Sequence, residues 1–295
     1  MLTRTADIVT AARAAGRGVG AFNVIQLEHA EALVAGAEKA GTPVVLQISE
    51  NAVKYHGALE PLAQATLAIA RSSATPVAVH LDHATDVALV RHAVQLGFGS
   101  VMYDASKLPF ADNVAATRAA ARRCHARGLW VESELGEIGG KDGAHAPGAR
   151  TDPDEAAAYV AATGVDALAV AVGSSHAMHT RTARLDHRLI ARLRDAVPVP
   201  LVLHGSSGVP DDELTAAVRA GMAKINIGTA LNSAFTGAVR EMLADQPDLV
   251  DPRRYLASAR SAMASTVAGA LRLLAGADRP ATTSAAAVVG VPRRP

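Results

Sequence analysis

Eight short runs rich in β-branched residues alternate with longer Ala/Leu/Arg-rich segments, and this alternation constrains the fold more than any other feature. The runs span residues 20–24, 43–49, 77–83, 100–104, 129–135, 167–173, 200–205 and 224–228. The segments between them, for example DVALVRHAVQLG, repeat apolar residues at helical spacing. Strands alternating with helices predict a parallel sheet, and eight such units are the number in a closed (β/α)8 (TIM) barrel. An open doubly wound sheet is the alternative, but no glycine-rich dinucleotide turn follows the first run.

Composition narrows the class of protein and its partners. Of the 295 residues, 49% are hydrophobic, and 29 basic against 28 acidic residues give a net charge of +1, so neither a nucleic acid nor a membrane is an expected partner. A single cysteine, Cys124, rules out a disulfide framework, and the N-terminus lacks the apolar core of a signal peptide. We expect a cytoplasmic protein with one barrel domain over residues 1–278 and a loose Pro/Ala/Ser-rich tail over residues 279–295.

A polar residue ends every predicted strand. Because barrel active sites lie at the carboxyl ends of the strands, these side chains are expected to meet at one rim. They are Asn23, Ser49, Asp82 with His83, Asp104, Glu134, His176, His204 and Asn226.

Three of these residues are histidines from three different strands. His83, His176 and His204 on one rim suit Zn²⁺, leaving a fourth position open for substrate. Any one of the 11 histidines taken alone is more often a packed or solvated side chain. His179 lies close to His176 and is an alternative ligand.

Glycine- and serine-rich turns follow three strands. HGSSG at 204–208 and GTALN at 228–232 follow the last two strands, where barrels often bind phosphate through backbone N–H groups, and VGSSH at 172–176 is a third such turn. The candidate phosphate and substrate contacts in these turns are Gly173, Gly205, Ser207, Gly228 and Thr229. The long polar segment at 134–150 is predicted to be a mobile lid.

Motifs along residues 1–275 resemble the class II, metal-dependent ketose-bisphosphate aldolases. The motifs LDHATD, VMYDAS, VESELGEIGG, VGSSH, LHGSSG and KINIGTALNSAF occur in that family's order and spacing. The resemblance implies a (β/α)8 barrel that forms a homodimer or homotetramer, holds one catalytic Zn²⁺ and binds a monovalent cation (Na⁺ or K⁺) near its phosphate site. It also implies reversible cleavage of a fructose- or tagatose-type ketose 1,6-bisphosphate into dihydroxyacetone phosphate and an aldehyde such as glyceraldehyde 3-phosphate.

The resemblance also assigns roles to single residues. It makes His83, His176 and His204 the zinc ligands, and it matches Glu134 to a glutamate that contacts a displaced metal. Asp82 would exchange the proton of the C4 hydroxyl. Gly205, Ser207 and Thr229 match phosphate contacts, with Asn226 on the triose.

Several positions depart from the family pattern. Ala177 and Ser206 stand where glycines are usual. Asp142 matches a lid glutamate that removes the triose α-proton, and it is one methylene shorter. Gly228 and Ala230 stand where fructose-type members usually carry aspartates. The reaction class is therefore better supported than fructose 1,6-bisphosphate as the substrate.

Other functions compete with this one. A Schiff-base aldolase would use Lys224, the one lysine on a predicted strand. A non-catalytic barrel that binds metal and phosphate, a zinc hydrolase, and an aldolase for another phosphorylated ketose are further alternatives. Arg253 and Arg254 are either contacts for a second phosphate, across a subunit boundary, or solvated surface.

Overall fold

The computed structural model describes residues 1–135, 150–175 and 180–276. Eight parallel strands close into a barrel in chain order, so the predicted TIM barrel is confirmed. The strands are β1 (Val19–Asn23), β2 (Val44–Ser49), β3 (Val77–Ala84), β4 (Ser100–Tyr103), β5 (Trp130–Glu134), β6 (Ala167–Ala169), β7 (Leu201–Leu203) and β8 (Met222–Ile227). The helices of the described residues are α1 (Thr5–Ala14), α2 (Leu27–Ala40), α3 (Glu50–His56), α4 (Glu60–Ser72), α5 (Val87–Leu96), α6 (Phe110–His125), α7 (Pro153–Thr163), α8 (His187–Ala196), α9 (Asp211–Ala220), α10 (Thr229–Asp245) and α11 (Pro252–Ala275).

The helices begin and end where local chemistry favours it. The carboxylate of Asp152 accepts the backbone N–H groups of Asp154 and Glu155 and caps α7, whose first residue is Pro153. Helix α2 ends at Gly41, which takes the left-handed conformation (φ 65°) that favours glycine.

Two apolar layers hold the barrel. The larger one lies between the strands and the surrounding helices. The smaller one lies inside the barrel at its amino-terminal end, where α1 packs against the strands. Val9 of α1 belongs to a cluster with Trp130 and Val202, and Ile8 to one with Val45 and Ala78. Apolar side chains therefore close the amino-terminal end, and the polar residues are left at the other end.

The main differences from the predicted strands lie in the last three strands, and β7 covers only Leu201–Leu203 of the predicted 200–205. Strand β6 ends at Ala169 rather than at residue 173. The cause is that the backbone of Ala171 pairs with Thr151, through its N–H to Thr151 Oγ1 (2.8 Å) and its carbonyl to Thr151 N–H (3.0 Å), instead of with β7. Strand β8 begins two residues earlier than predicted, at Met222, beside an irregular register with β7. The predicted tail at 279–295 lies outside the described residues.

None of the helices in the described part of the chain combines the length and the hydropathy needed to cross a bilayer.

Candidate active site

A distortion of β3 turns two consecutive side chains toward the same cavity. Asp82 and His83 follow each other, so a regular strand would point them to opposite faces. His83 instead has φ 49°, and the register with β4 shifts between Leu81 and Ala84. A non-glycine residue in the left-handed region costs about 1–3 kcal/mol, which the surrounding structure must offset. Both side chains consequently line a cavity of about 730 Å³ at the carboxyl ends of the strands.

Two histidine rings meet beside this cavity, with His83 lining it and His204 completely buried behind it. The ring centroids of His83 and His204 lie 4.7 Å apart at an angle of 69°. His83 Nδ1 donates to Asp104 Oδ2 (2.9 Å). Ligand atoms of Asp82, His83 and His204 all lie within 4.8 Å of one another, and so do those of His83, Asp104 and Glu134.

His204 lies between two carboxylates. Its Nε2 donates to Glu132 Oε1 (3.0 Å), and its Nδ1 lies 3.2 Å from Glu134 Oε2. Burial alone would lower the pKa of His204, but the hydrogen bonds to Glu132 and Glu134 raise it to about 9. A divalent cation held by His204 would compete with this proton at neutral pH.

Asp82 is a buried carboxylate with one oxygen available. Its Oδ2 accepts from Gln47 Nε2 (3.3 Å) and Asn23 Nδ2 (3.4 Å), whereas Oδ1 has no hydrogen-bond partner among the described residues. Burial would raise its pKa, but the positive charge of His83 and His204 keeps the pKa below its usual value. The group is ionised at neutral pH and suits either proton transfer or contact with a cation.

This donor set fits a divalent metal. Imidazole nitrogen and carboxylate oxygen are the ligands that zinc takes in proteins, and the unsatisfied Oδ1 of Asp82 is an oxygen that a bound cation or substrate would satisfy. Among the described residues, His83 belongs to both groups whose ligand atoms lie close enough to hold a metal, with Asp82 and His204 in one group and with Asp104 and Glu134 in the other. The predicted third histidine, His176, and its alternative His179 lie outside the described residues, as do Asp142 and Ala177.

The predicted phosphate turns line the opposite wall. Gly205 (φ 67°) leads into a short 3-10 turn over Ser206–Gly208, and α10 begins at Thr229. Ser207 Oγ accepts the N–H of Ala230 (3.1 Å), which ties the two turns together and leaves its hydroxyl hydrogen for an anion. Gly205, Ser207, Asn226, Gly228 and Thr229 all line the cavity, whereas Gly173 is not among the described lining residues and its neighbour Ser175 is.

Gly228 is constrained by Asn23 at the end of β1, the strand that pairs with β8. A Cβ added there would lie 2.7 Å from Asn23 Oδ1. An aspartate at this position would therefore require Asn23 to move, and Asn23 contacts Asp82. The departure from fructose-type members at position 228 is thus linked to the position of Asn23.

The Schiff-base alternative is poorly supported by the surroundings of Lys224. Its Nζ lies 2.8 Å from Glu132 Oε2 and donates to Asn226 Oδ1 (2.9 Å), and the side chain is completely buried. An ammonium group paired in this way is the opposite of the unpaired, desolvated amine that this chemistry requires. Lys224 is not among the described residues that line the cavity.

Other predicted residues have clear positions. Ser49 lines the cavity, but its Oγ accepts the N–H of Ala52 and caps α3. Arg253 and Arg254 lie on the surface, where they bond to Asp251 and Gln246, and neither lines the cavity of this chain.

Gln47 and Glu132 were not predicted as site residues, although they point into the barrel two residues before Ser49 and Glu134. The strand period of two was the signal that would have identified both residues.

Comparison with known proteins agrees with this geometry. The family model described as fructose-bisphosphate aldolase class-II matches residues 3–279. A fructose-bisphosphate aldolase of Thermus caldophilus is 38% identical over 95% of this chain and 100% of its own length. A second, from Geobacillus stearothermophilus, is 39% identical over 86% of this chain and 90% of its own length.

Solved structures give the same result. The YdjI aldolase of Escherichia coli K12 superposes with a TM-score of 0.82 at 33% identity, covering 93% of this chain and 97% of that one. A putative fructose-1,6-bisphosphate aldolase of Coccidioides immitis superposes with a TM-score of 0.81 at 28% identity, covering 92% and 96%. With a barrel, a cluster of imidazoles and carboxylates at its mouth and relatives matched along nearly their whole length, the chain belongs to the class II fructose-bisphosphate aldolase family and is an aldolase.

Proposed function

We propose that this aldolase uses one Zn²⁺ to cleave a ketose 1,6-bisphosphate into dihydroxyacetone phosphate and an aldehyde such as glyceraldehyde 3-phosphate. The observation that carries the proposal is that ligand atoms of Asp82, His83 and His204 lie within 4.8 Å of one another. His83, His204 and the predicted His176 would hold the metal, with Glu134 as a further contact. When bound, the cation supplies positive charge that offsets the negative charge left on the carbonyl oxygen after cleavage.

The proton transfers fall to carboxylates of this chain. In cleavage, Asp82 takes the proton of the C4 hydroxyl, the C3–C4 bond breaks, and its electron pair remains on the dihydroxyacetone half. The aldehyde forms at C4 as its oxygen loses that proton. We assign the protonation of C3 to Asp142. In condensation both protons move in the opposite direction.

The phosphate of the dihydroxyacetone half would lie against the turns after β7 and β8. Gly205, Ser207 and Thr229 offer backbone and hydroxyl donors there, and the N-terminus of α10 favours an anion. We place the monovalent cation, Na⁺ or K⁺, beside this phosphate. Asn226 and Asn23 face the cavity between the phosphate turns and Asp82, where the triose would lie.

Fructose 1,6-bisphosphate is not favoured over its epimer. Gly228 and Ala230 lack the acids usual in fructose-type members, and Asn23 occupies the space that a side chain at 228 would need. A tagatose-type or another phosphorylated ketose is therefore an equal candidate. The cytoplasmic location and the homodimeric or homotetrameric state stay predictions.

The test is a panel of aldehydes condensed with dihydroxyacetone phosphate, with the C4 configuration of each product determined. We expect zinc-dependent condensation with one configuration preferred, and loss of both condensation and cleavage in Asp82→Ala. If the protein binds zinc but neither condenses any aldehyde nor exchanges the triose α-proton, the non-catalytic alternative is correct.

A further inference from the structure

A buried ion pair lies beneath the histidine cluster, and the chemistry described above does not use it. Glu132 of β5 and Lys224 of β8 are both completely buried, and Glu132 Oε2 lies 2.8 Å from Lys224 Nζ. The other oxygen of Glu132 accepts from His204 Nε2 (3.0 Å). Lys224 also donates to Asn226 Oδ1 (2.9 Å). The pair thus contacts a candidate metal ligand on one side and a candidate substrate contact on the other.

Stability is a weak explanation for such a pair. Desolvating two charges costs several kcal/mol per ion, and replacing a buried pair with apolar side chains of similar size is often neutral or stabilising. The amino-terminal layer of the same barrel is already packed with apolar residues such as Val45, Ala78 and Val202. The Glu132–Lys224 pair lies between this apolar layer and the histidine cluster. Its effect on the side chains that it contacts therefore explains it better than a contribution to stability does.

The geometry around His204 indicates what effect the ion pair has on its neighbours. A neutral imidazole carries its proton on one nitrogen and a lone pair on the other. In that neutral form of His204, donation from Nε2 to Glu132 would leave the lone pair on Nδ1, which lies 3.2 Å from Glu134 Oε2 on the side of the histidine cluster. The opposite tautomer would present an N–H group to a metal. Carboxylates that accept from the far nitrogen of a ligating histidine act in this way in many metal sites.

We infer that Glu132, held in place by Lys224, is a positioning residue that fixes the tautomer and ring orientation of His204 for metal binding. Lys224 also holds Asn226 through the same ammonium group, so the positions of Glu132 and Asn226 both depend on this one side chain. The inference rests on the proposed function, because it assumes that His204 is a metal ligand.

The experiment measures metal binding rather than turnover alone. Glu132→Gln is compared with Ser133→Ala, the next residue on β5, whose hydroxyl donates outside the barrel to the carbonyl of Tyr103. The readouts are the Zn²⁺ dissociation constant by competition with a chromophoric chelator, the visible spectrum of the Co²⁺-substituted protein, and the thermal midpoint. Loss of a carboxylate partner of a ligating histidine weakens metal binding about 10- to 100-fold.

We expect Glu132→Gln to bind Zn²⁺ about 10- to 100-fold more weakly and to change the visible spectrum of the Co²⁺-substituted protein. Ser133→Ala should lower the thermal midpoint but leave the Zn²⁺ affinity and the spectrum unchanged. Wild-type affinity and spectrum in Glu132→Gln would overturn the inference.

Lys224→Met alone leaves a buried carboxylate without its cation and risks misfolding. The double variant Glu132→Gln/Lys224→Met removes both charges and keeps the experiment informative. We expect it to be more thermostable than Lys224→Met but still weak in Zn²⁺ binding. Recovery of wild-type affinity in the double variant would mean that the pair only fills space. Failure of the proposed function gives a different result, since the wild-type protein itself would then bind no zinc or cleave no sugar phosphate.

Discussion

Replacing Gln47 by leucine would remove a hydrogen-bond donor from the carboxylate to which we assign proton transfer. The Nε2 atom of Gln47 lies 3.3 Å from Asp82 Oδ2 and 3.3 Å from Asn23 Oδ1, and the side chain is buried. Leucine has a similar size and cannot donate. Asp82 would keep only its longer contact with Asn23 Nδ2, at 3.4 Å.

The size of the effect follows from these distances. Charge-assisted N–H···O bonds are normally about 2.7–2.9 Å long, so a contact of 3.3 Å belongs at the weak end of their range. Hydrogen bonds to charged groups contribute about 1.5–3 kcal/mol, and the lower figure corresponds to a roughly tenfold decrease in kcat. The effect on KM should be small, because Gln47 contacts Asp82 and Asn23 rather than the phosphate turns.

The assay is steady-state cleavage with zinc content measured on the same samples. Leu46→Met is the matched control, because Leu46 lies on the same strand, faces the outer apolar layer, and keeps nearly its volume on substitution. We expect Gln47→Leu to bind zinc normally and turn over about ten times more slowly than Leu46→Met. Equal kcat values in the two variants would refute the role given to this amide.

Three further predictions concern other parts of the molecule. Asp82→Ala should retain zinc but lose about 10²–10⁴-fold in kcat, as measured by metal analysis and cleavage rate, and unchanged turnover would remove Asp82 from its role. Burial lowers the pKa of His29 from 6.5 to about 4, so the unfolded chain binds the proton first as the pH falls. The free energy of unfolding should therefore decrease between pH 6.5 and pH 4 by about 3 kcal/mol at most, and urea titrations of His29→Gln should show a flatter dependence. Gly36→Ala places a Cβ 2.7 Å from the carbonyl of Ala264 on α11 and should destabilise by about 1–3 kcal/mol, whereas Gly269→Ala, with open space around it, should be neutral or stabilising in the same thermal scan.

Much of the fold follows from local patterns in the sequence. Each barrel strand lies in a short run rich in apolar residues, and strand position alone places Asp82, Asp104, Glu134, His204 and Asn226 on one rim. The candidate phosphate turns could be predicted from the sequence because glycine and serine directly follow the strands.

What sequence patterns did not predict depends on contacts between distant residues. The distortion at His83 appears as a register shift against β4, and without it Asp82 and His83 would face opposite sides. The early end of β6 depends on Thr151, which lies outside that strand. The pairing of Glu132 with Lys224 joins β5 and β8, which are not neighbouring strands, and no local sequence pattern predicts it.

The central claim is that one divalent cation held at His83 and His204 makes the aldol cleavage possible, and metal removal tests it most directly. Protein depleted of metal by prolonged chelation should lose cleavage and recover it on adding about one equivalent of Zn²⁺ per chain, whereas His83→Ala and His204→Ala should not recover. Full cleavage by the depleted wild-type protein, with its zinc content verified as negligible, would contradict the account.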